Sequence, residues 1–344
     1  MNESDLLAHI FTLSGGINAG AGDVLVGPGD DCAVVRTPSG DTLLLTVDQL
    51  VEGRHFETGT PIDLIARKAV ARSISDIAAM GGEPCWGLAT GLLPDGYQHG
   101  RELSEALHKW GAHWHCPIVG GDIAFGPGPL SITTTVIGRM NVPAIEPPAQ
   151  AGGHAPNTQP DTTPGATAGA APGPLARARG SLSPILRSGA RAGDELWLTG
   201  QVGASFDSGW HLQFEPRLAA GRAAARSGRV HAMLDLSDGL GRDAARIGIA
   251  SNMRLMIEAA RLPISHRARD WAQAVSEGED YELLMAIHPR HPEITDPPLA
   301  LDPPLFGPVG VVRACEPGEK PGATIIDPYG KPHDAESLGW DHGA

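Results

Sequence analysis

The side chains in this chain best suited to chemistry are carboxylates placed where apolar runs meet turns. Asp30 and Asp31 follow Gly27-Pro28-Gly29 and precede an apolar run. Asp48 closes Thr42–Val47, Asp122 follows Ile118-Val119-Gly120-Gly121, and Asp235 and Asp238 bracket Leu236-Ser237. Neighbouring carboxylates repel unless a cation lies between them, and hard divalent ions prefer oxygen ligands. Each site alone also reads as an acidic turn, a strand end or a helix cap. Their recurrence favours a multi-metal site. An all-oxygen donor set suits Mg²⁺ better than Zn²⁺, and Mg²⁺ clustered by carboxylates handles phosphate groups. Asp76 could join the cluster, although its place late in a helix reads, on spacing alone, as an exposed aspartate. No GxxxxGK[ST] stretch or protein-kinase motif occurs, so bound nucleotide would depend on metals where other folds use the P-loop lysine.

These residues must be positioned by alternating strands and helices. Residues 2–14 read as a short amphipathic helix with Leu6, Leu7, Ile10 and Leu13 on one side. Residues 42–48 read as a buried strand. A helix follows, with Thr60 as N-cap, Pro61 at the first helical position, and an apolar stripe of Ile62, Ile65, Ala69, Ile74 and Ile77. Gly81-Gly82 ends it. A strand is expected over 88–93, a helix over 101–114 and a strand over 130–137. Residues 141–180 are dominated by Pro, Ala, Gly and Thr, too poor in large apolar residues to fold alone. The second half offers a strand over 195–199, a strand that turns into a helix over 231–240, a strand over 253–257, an acidic turn from 276 before a strand through Ile287, and a strand over 309–313. The alternation predicts an α/β architecture of the α+β type in two domains, 1–140 and 181–344, separated by a disordered insertion at 141–180. His113-Trp114-His115-Cys116 is set aside, because adjacent helical positions point apart. Gly203-Ala204-Ser205 is set aside as a turn, because it lacks a nucleophile elbow.

The chain has 344 residues, with Asp+Glu 40 against Lys+Arg 26 and a formal net charge of −14. That balance argues against nucleic acid and anionic membranes as partners. The four cysteines form no CxxC pair, so neither a disulfide framework nor a zinc ribbon is indicated. With no signal peptide or long apolar span, a cytoplasmic setting is expected.

Taken together, the blocks resemble the thiamine-monophosphate kinase family, within the superfamily of aminoimidazole ribonucleotide synthetase, selenophosphate synthetase and a hydrogenase-maturation dehydratase. The matching segments are Gly29-Asp30-Asp31, Asp48 with Leu50–Phe56, Ser75–Gly81, Gly120-Gly121-Asp122, Arg187–Ala190, Asp235–Leu240 and Gly278–Leu283. They span nearly all the chain outside 141–180. The resemblance implies an N-terminal domain that binds ATP and Mg²⁺ and forms a homodimer through its sheet, an α/β C-terminal domain, and a site between them. It implies Asp30, Asp31, Thr46, Asp48, Asp76, Asp122, Asp235 and Asp238 as Mg²⁺ positions. Gly121, Asp122, Arg187 and Ser237 would contact ATP. His55, Glu279 and an aromatic such as Trp340 would contact thiamine monophosphate. The implied reaction is direct in-line transfer from ATP to a phosphate acceptor, with no general base assigned.

Four departures stand against that pattern. The 141–180 stretch replaces a brief connection, and residues 203–216 read as shortened by a helix. Ser337 or Leu338 stands where relatives carry an aromatic, and Val47 where a polar residue often precedes the metal-binding aspartate. Two alternatives remain open at this level. One is a ligase or dehydratase built on the same metal core; the other is a catalytically silent nucleotide-binding paralogue.

Overall fold

The computed structural model describes residues 3–14, 22–140, 182–289 and 298–339. The expectations placed on 141–180 and on Trp340 lie outside the described residues. Helix α1 (Glu3–Ser14) forms, but Leu6, Ile10 and Leu13 remain exposed.

In the first half, β1 (Val24–Val26), β2 (Ala33–Arg36), β3 (Thr42–Val51), β4 (Glu83–Pro94), β5 (Ile118–Gly126) and β6 (Ser131–Arg139) form one six-stranded sheet. The strand order is β1-β2-β3-β6-β4-β5. β4 and β5 are parallel, while the other neighbours are antiparallel. Helices α2 (Ile62–Ala79) and α3 (Gly100–His113) cover one face. Alternation along β3 decides which face: Leu44, Thr46 and Leu50 are buried toward α2, and Val47 is 64% exposed on the other side. β5 runs through Asp122 instead of ending before it.

α2 departs from the one-sided burial that its apolar stripe predicts. It is buried on nearly every side from Ile65 to Ala79, because the sheet lies on one flank and the second half of the chain on the other. Thr60 does not cap it; Pro61 takes that position, and the Thr60 hydroxyl donates to the Glu57 carbonyl at 2.7 Å. The helix stops where Gly81 adopts φ +76°, which lets the Gly82 N–H close onto the Ile77 carbonyl at 3.0 Å.

The second half holds β7 (Glu195–Leu198), α4 (Leu218–Ser227), β8 (Val230–Asp235), α5 (Leu240–Ser251), β9 (Arg254–Glu258) and α6 (Trp271–Ser276). β10 (Leu283–Ile287), β11 (Phe306–Arg313), β12 (Gly322–Ile326) and β13 (Pro332–Asp334) complete it. Its seven strands run β13-β12-β9-β11-β7-β10-β8, and β12 and β9 form a parallel pair. β8 and β10 are buried on both faces: Leu234 and Ala286 pack with Ile247 of α5, while Met233 and Met285 pack with Ala224 of α4 and Ala79 of α2. Gly221 of α4 lies so close to α2 that a Cβ there would meet the Ala78 carbonyl oxygen at 2.0 Å. The two halves therefore share a core, and the C-terminal end of α2 is wedged beside the end of β8.

Candidate metal and substrate site

That wedge assembles the carboxylates. Asp31 enters just before β2, Asp76 from the last turns of α2, and Asp235 from the end of β8. Their carboxylate oxygens lie within 4.8 Å of one another. Asp76 is thus drawn into the cluster, against the exposed reading that spacing alone favoured. Thr46 of β3 donates its hydroxyl to Asp76, and Ser75 donates to Asp235 at 2.5 Å, tying α2 to β8. Burial, reinforced by the neighbouring carboxylates, pushes all three acids above the ordinary carboxylate range. Asp31 Oδ2 is buried with no hydrogen-bond partner among the described residues. Three converging carboxylates with an unpaired buried oxygen fit a hard divalent cation.

Asp30 accepts the Arg187 N–H at 3.0 Å, and burial together with Asp31 raises its carboxyl to about 7. The Arg187 guanidinium pairs with Asp31 through both Nε and Nη2. Asp48 accepts from Ser73 at 3.2 Å and faces Arg72 at 3.5 Å. Asp238 pairs with Arg246, which also holds the buried Asp243 at 2.6 Å.

Through Asp76 the cluster borders a cavity of about 580 Å³, which Asp48, His55, Ser237, Asp238 and Glu279 also line, among others. The predicted His55, Ser237 and Glu279 therefore face the same space as the metal candidates. His55 Nδ1 accepts the Val51 N–H at 2.9 Å, which places the proton of the neutral ring on Nε2. Glu279 is paired with the fully buried Lys68 and with His211 at 3.3 Å. Burial alone would raise the Glu279 carboxyl, but Lys68, His211 and Arg72 outweigh it and hold the group far below its usual range. Burial in turn lowers the Lys68 ammonium to about 8. Sequence reasoning missed Lys68, Arg72 and His211. The first two carried a signal: Lys68, Arg72 and Asp76 recur every fourth residue and share one helical face.

Two predicted residues lie elsewhere. Register pairs Asp48 with Thr134, Thr134 with Ala89 and Ala89 with Gly121, while Asp122 sits opposite Thr90, in line with exposed Leu88 and Leu92. Asp122 is thus three strands from Asp48, roughly 14 Å, and on the opposite face. Within one chain it does not join the cluster. Gly121 has a structural reason of its own, since a Cβ would meet the Ala89 carbonyl oxygen at 1.7 Å. Both residues line a second cavity of about 380 Å³, walled by Leu93, Leu103, Leu107 and Ile123.

Residues 29–140 match the family model of the AIR synthase related protein, N-terminal domain. The chain is 31% identical over 292 residues to the thiamine-monophosphate kinase of Rhodopirellula baltica, covering 79% of each. It is 32% identical over 324 residues to that of Escherichia coli K12, covering 85% of this chain and 83% of the relative. In fold it is similar to AaThiL complexed with AMPPCP and TMP, with TM-score 0.72, 23% identity, and 99% and 97% of the two chains covered. It is also similar to the hydrogenase maturation protein HypE in complex with ATP, with TM-score 0.60, 14% identity, and 87% and 86% covered.

Proposed function

The chain belongs to the thiamine-monophosphate kinase family, and we propose that it transfers the γ-phosphoryl group of ATP directly to the phosphate of thiamine monophosphate, giving thiamine diphosphate and ADP. The observation that carries this reading is the Asp31–Asp76–Asp235 cluster, whose Asp76 lines the cavity that also holds His55 and Glu279. In the in-line step an oxygen of the acceptor phosphate forms the new bond to the γ-phosphorus as the bond to the ADP oxygen breaks. The acceptor oxygen is already ionised, so no general base is required.

The residues of the site divide that work. Asp30, Asp31, Thr46, Asp48, Asp76, Asp235 and Asp238 would hold Mg²⁺. When bound, Mg²⁺ would offset the repulsion between two anionic reactants. Arg187 is already fixed on Asp31, where its planar donors suit a nucleotide phosphate, and Ser237 lines the same cavity. Glu279, held ionised by Lys68, suits a cationic acceptor, and thiamine carries a permanent positive charge on its thiazolium ring. His55 lines the same cavity and is assigned to the same molecule. Trp340, the remaining pocket assignment, would cover the thiamine rings.

Asp122 and Gly121 fit the reading if the working form is a homodimer. The exposed sheet face carries Val47, Trp86, Leu88 and Leu92, an apolar strip suited to a second copy. Asp122 lies on that face, and we assign it to a site of the partner subunit across the pairing surface. The first 140 residues would thus both bind metal and nucleotide and mediate pairing.

The test is a product assay with purified protein, ATP, Mg²⁺ and thiamine monophosphate, with thiamine diphosphate followed by chromatography. Mg²⁺-dependent product is expected. ATP binding without thiamine diphosphate would remove this acceptor.

A further inference from the structure

Arg72 and Tyr281 both line the cavity that holds Asp48, Asp76, His55 and Glu279. Arg72 is anchored at its tip. Its Nη1 donates to the Gln49 carbonyl at 2.9 Å, and its Nη2 lies 3.5 Å from the Asp48 carboxylate. Its Nε–H is buried and has no hydrogen-bond partner among the described residues; the same holds for the hydroxyl of Tyr281. Tyr281 is 3% exposed, and its ring stacks on Phe214 with centroids 4.1 Å apart. Burial raises the Tyr281 phenol well above its ordinary value even with Arg72 nearby, so the hydroxyl stays protonated and donates.

The backbone here is also unusual. Glu279 and Tyr281 adopt φ +69° and +52°, a region a bulky residue takes only when its surroundings impose it. The imposing contacts are explicit. The Glu279 and Tyr281 N–H groups donate to the Ser237 and Leu236 carbonyls, each at 2.8 Å, and Asp280 between them accepts the Gly203 N–H at 3.0 Å. Leaving buried donors unmet is costly. Two such donors, one on α2 and one on the strained segment, line one cavity and point to a ligand that accepts from both.

We propose that the Tyr281 hydroxyl and the Arg72 Nε–H are paired donors to an oxygen of a phosphate group in this cavity, namely the phosphate of the acceptor. The choice of acceptor rests on the function proposed above and on location, since Arg72 lies 3.5 Å from Asp48 and lines the same cavity as Glu279. The pair would orient the attacking phosphate between the residues that hold thiamine and those that hold metal.

Two variants test this. Tyr281→Phe keeps the ring and its stacking but deletes the O–H, and Arg72→Lys keeps the charge but deletes Nε–H. The KM for thiamine monophosphate is expected to rise about tenfold in either, with the KM for ATP and the affinity for unphosphorylated thiamine unchanged. A rise in the ATP KM instead would overturn the acceptor assignment in favour of the nucleotide's phosphate. Unchanged constants, or an equal loss of thiamine affinity, would overturn the donor pair altogether and leave these groups to water or to packing. If the wild type forms no thiamine diphosphate, the acceptor reading fails by itself. The pair is then judged on Mg²⁺-dependent binding of inorganic phosphate: about tenfold weaker binding in Tyr281→Phe upholds it, and equal binding overturns it.

Discussion

At the scale of single residues, the site is held under electrostatic load. Asp31, Asp76 and Asp235 are buried together, and their carboxyls bind protons in the folded chain at pH values where the unfolded chain has released them. Without metal, their contribution to stability is therefore full below the ordinary carboxylate range. It is lost as pH rises through their raised values, and Asp30, pushed up to about 7, loses its own share in the same direction. The metal-free protein should melt at a lower temperature at pH 8 than at pH 5, and Mg²⁺ should restore most of the difference at pH 8. Calorimetry with chelator or with Mg²⁺ checks both arms; a melting temperature indifferent to pH and Mg²⁺ would contradict the cluster. Asp76→Asn removes one of the repelling charges while its amide oxygen can still accept from Thr46. It should raise the metal-free melting temperature at pH 8, shrink the Mg²⁺ response, and lower turnover roughly 100- to 1,000-fold.

At the scale of elements, α2 positions much of the site. Its face presents Lys68 to Glu279, Arg72 to Asp48, and Asp76 to the cluster. What fixes its C-terminal end is contact with α4, where Gly221 touches the Ala78 backbone. Gly221→Ala must push the two helices apart, with an expected cost of about 1–3 kcal/mol. Because Asp76 lies within one turn of that contact, turnover per folded molecule should fall too. Urea unfolding paired with activity measured on folded protein separates the two effects. Unchanged stability would show that α2 does not rest on α4 at this point.

At the scale of the whole molecule, the question is whether one chain carries a complete site. Asp48 and Asp122 occupy opposite faces of one sheet, so no side-chain rotation brings them together. In the proposed dimer, Asp76→Asn and Asp122→Asn homodimers should each be inactive. Mixing and re-pairing them one to one should restore about a quarter of wild-type activity, because half the dimers are mixed and each mixed dimer holds one intact site. Activity that stays absent after confirmed subunit exchange would show that Asp122 acts within its own chain or not at all. Val47→Asp should dissociate the dimer in sedimentation and abolish turnover with it.

The sequence by itself determined the family and the alternation of elements. Carboxylates recurring at the edges of apolar runs pointed to oxygen-ligated metal, and the order of blocks from Gly29-Asp30-Asp31 to Gly278–Leu283 pointed to the family. The alternation of strand and helix periods was legible because burial on one side leaves a pattern in the chain. Tertiary structure alone decided which of those residues meet. Asp76 looked exposed because helical spacing records one buried face, and α2 has two: the second is supplied by β8 and α4, far away in sequence. Asp122 was grouped with its own chain's cluster because spacing along the chain carries no record of which sheet face a residue takes. β12, β13 and α4 were not read at all; they are short elements whose burial comes from packing on distant neighbours. The pairing of Lys68 with Glu279 and the placing of Arg72 and Tyr281 on one cavity join residues about 210 positions apart, which only the folded chain brings together.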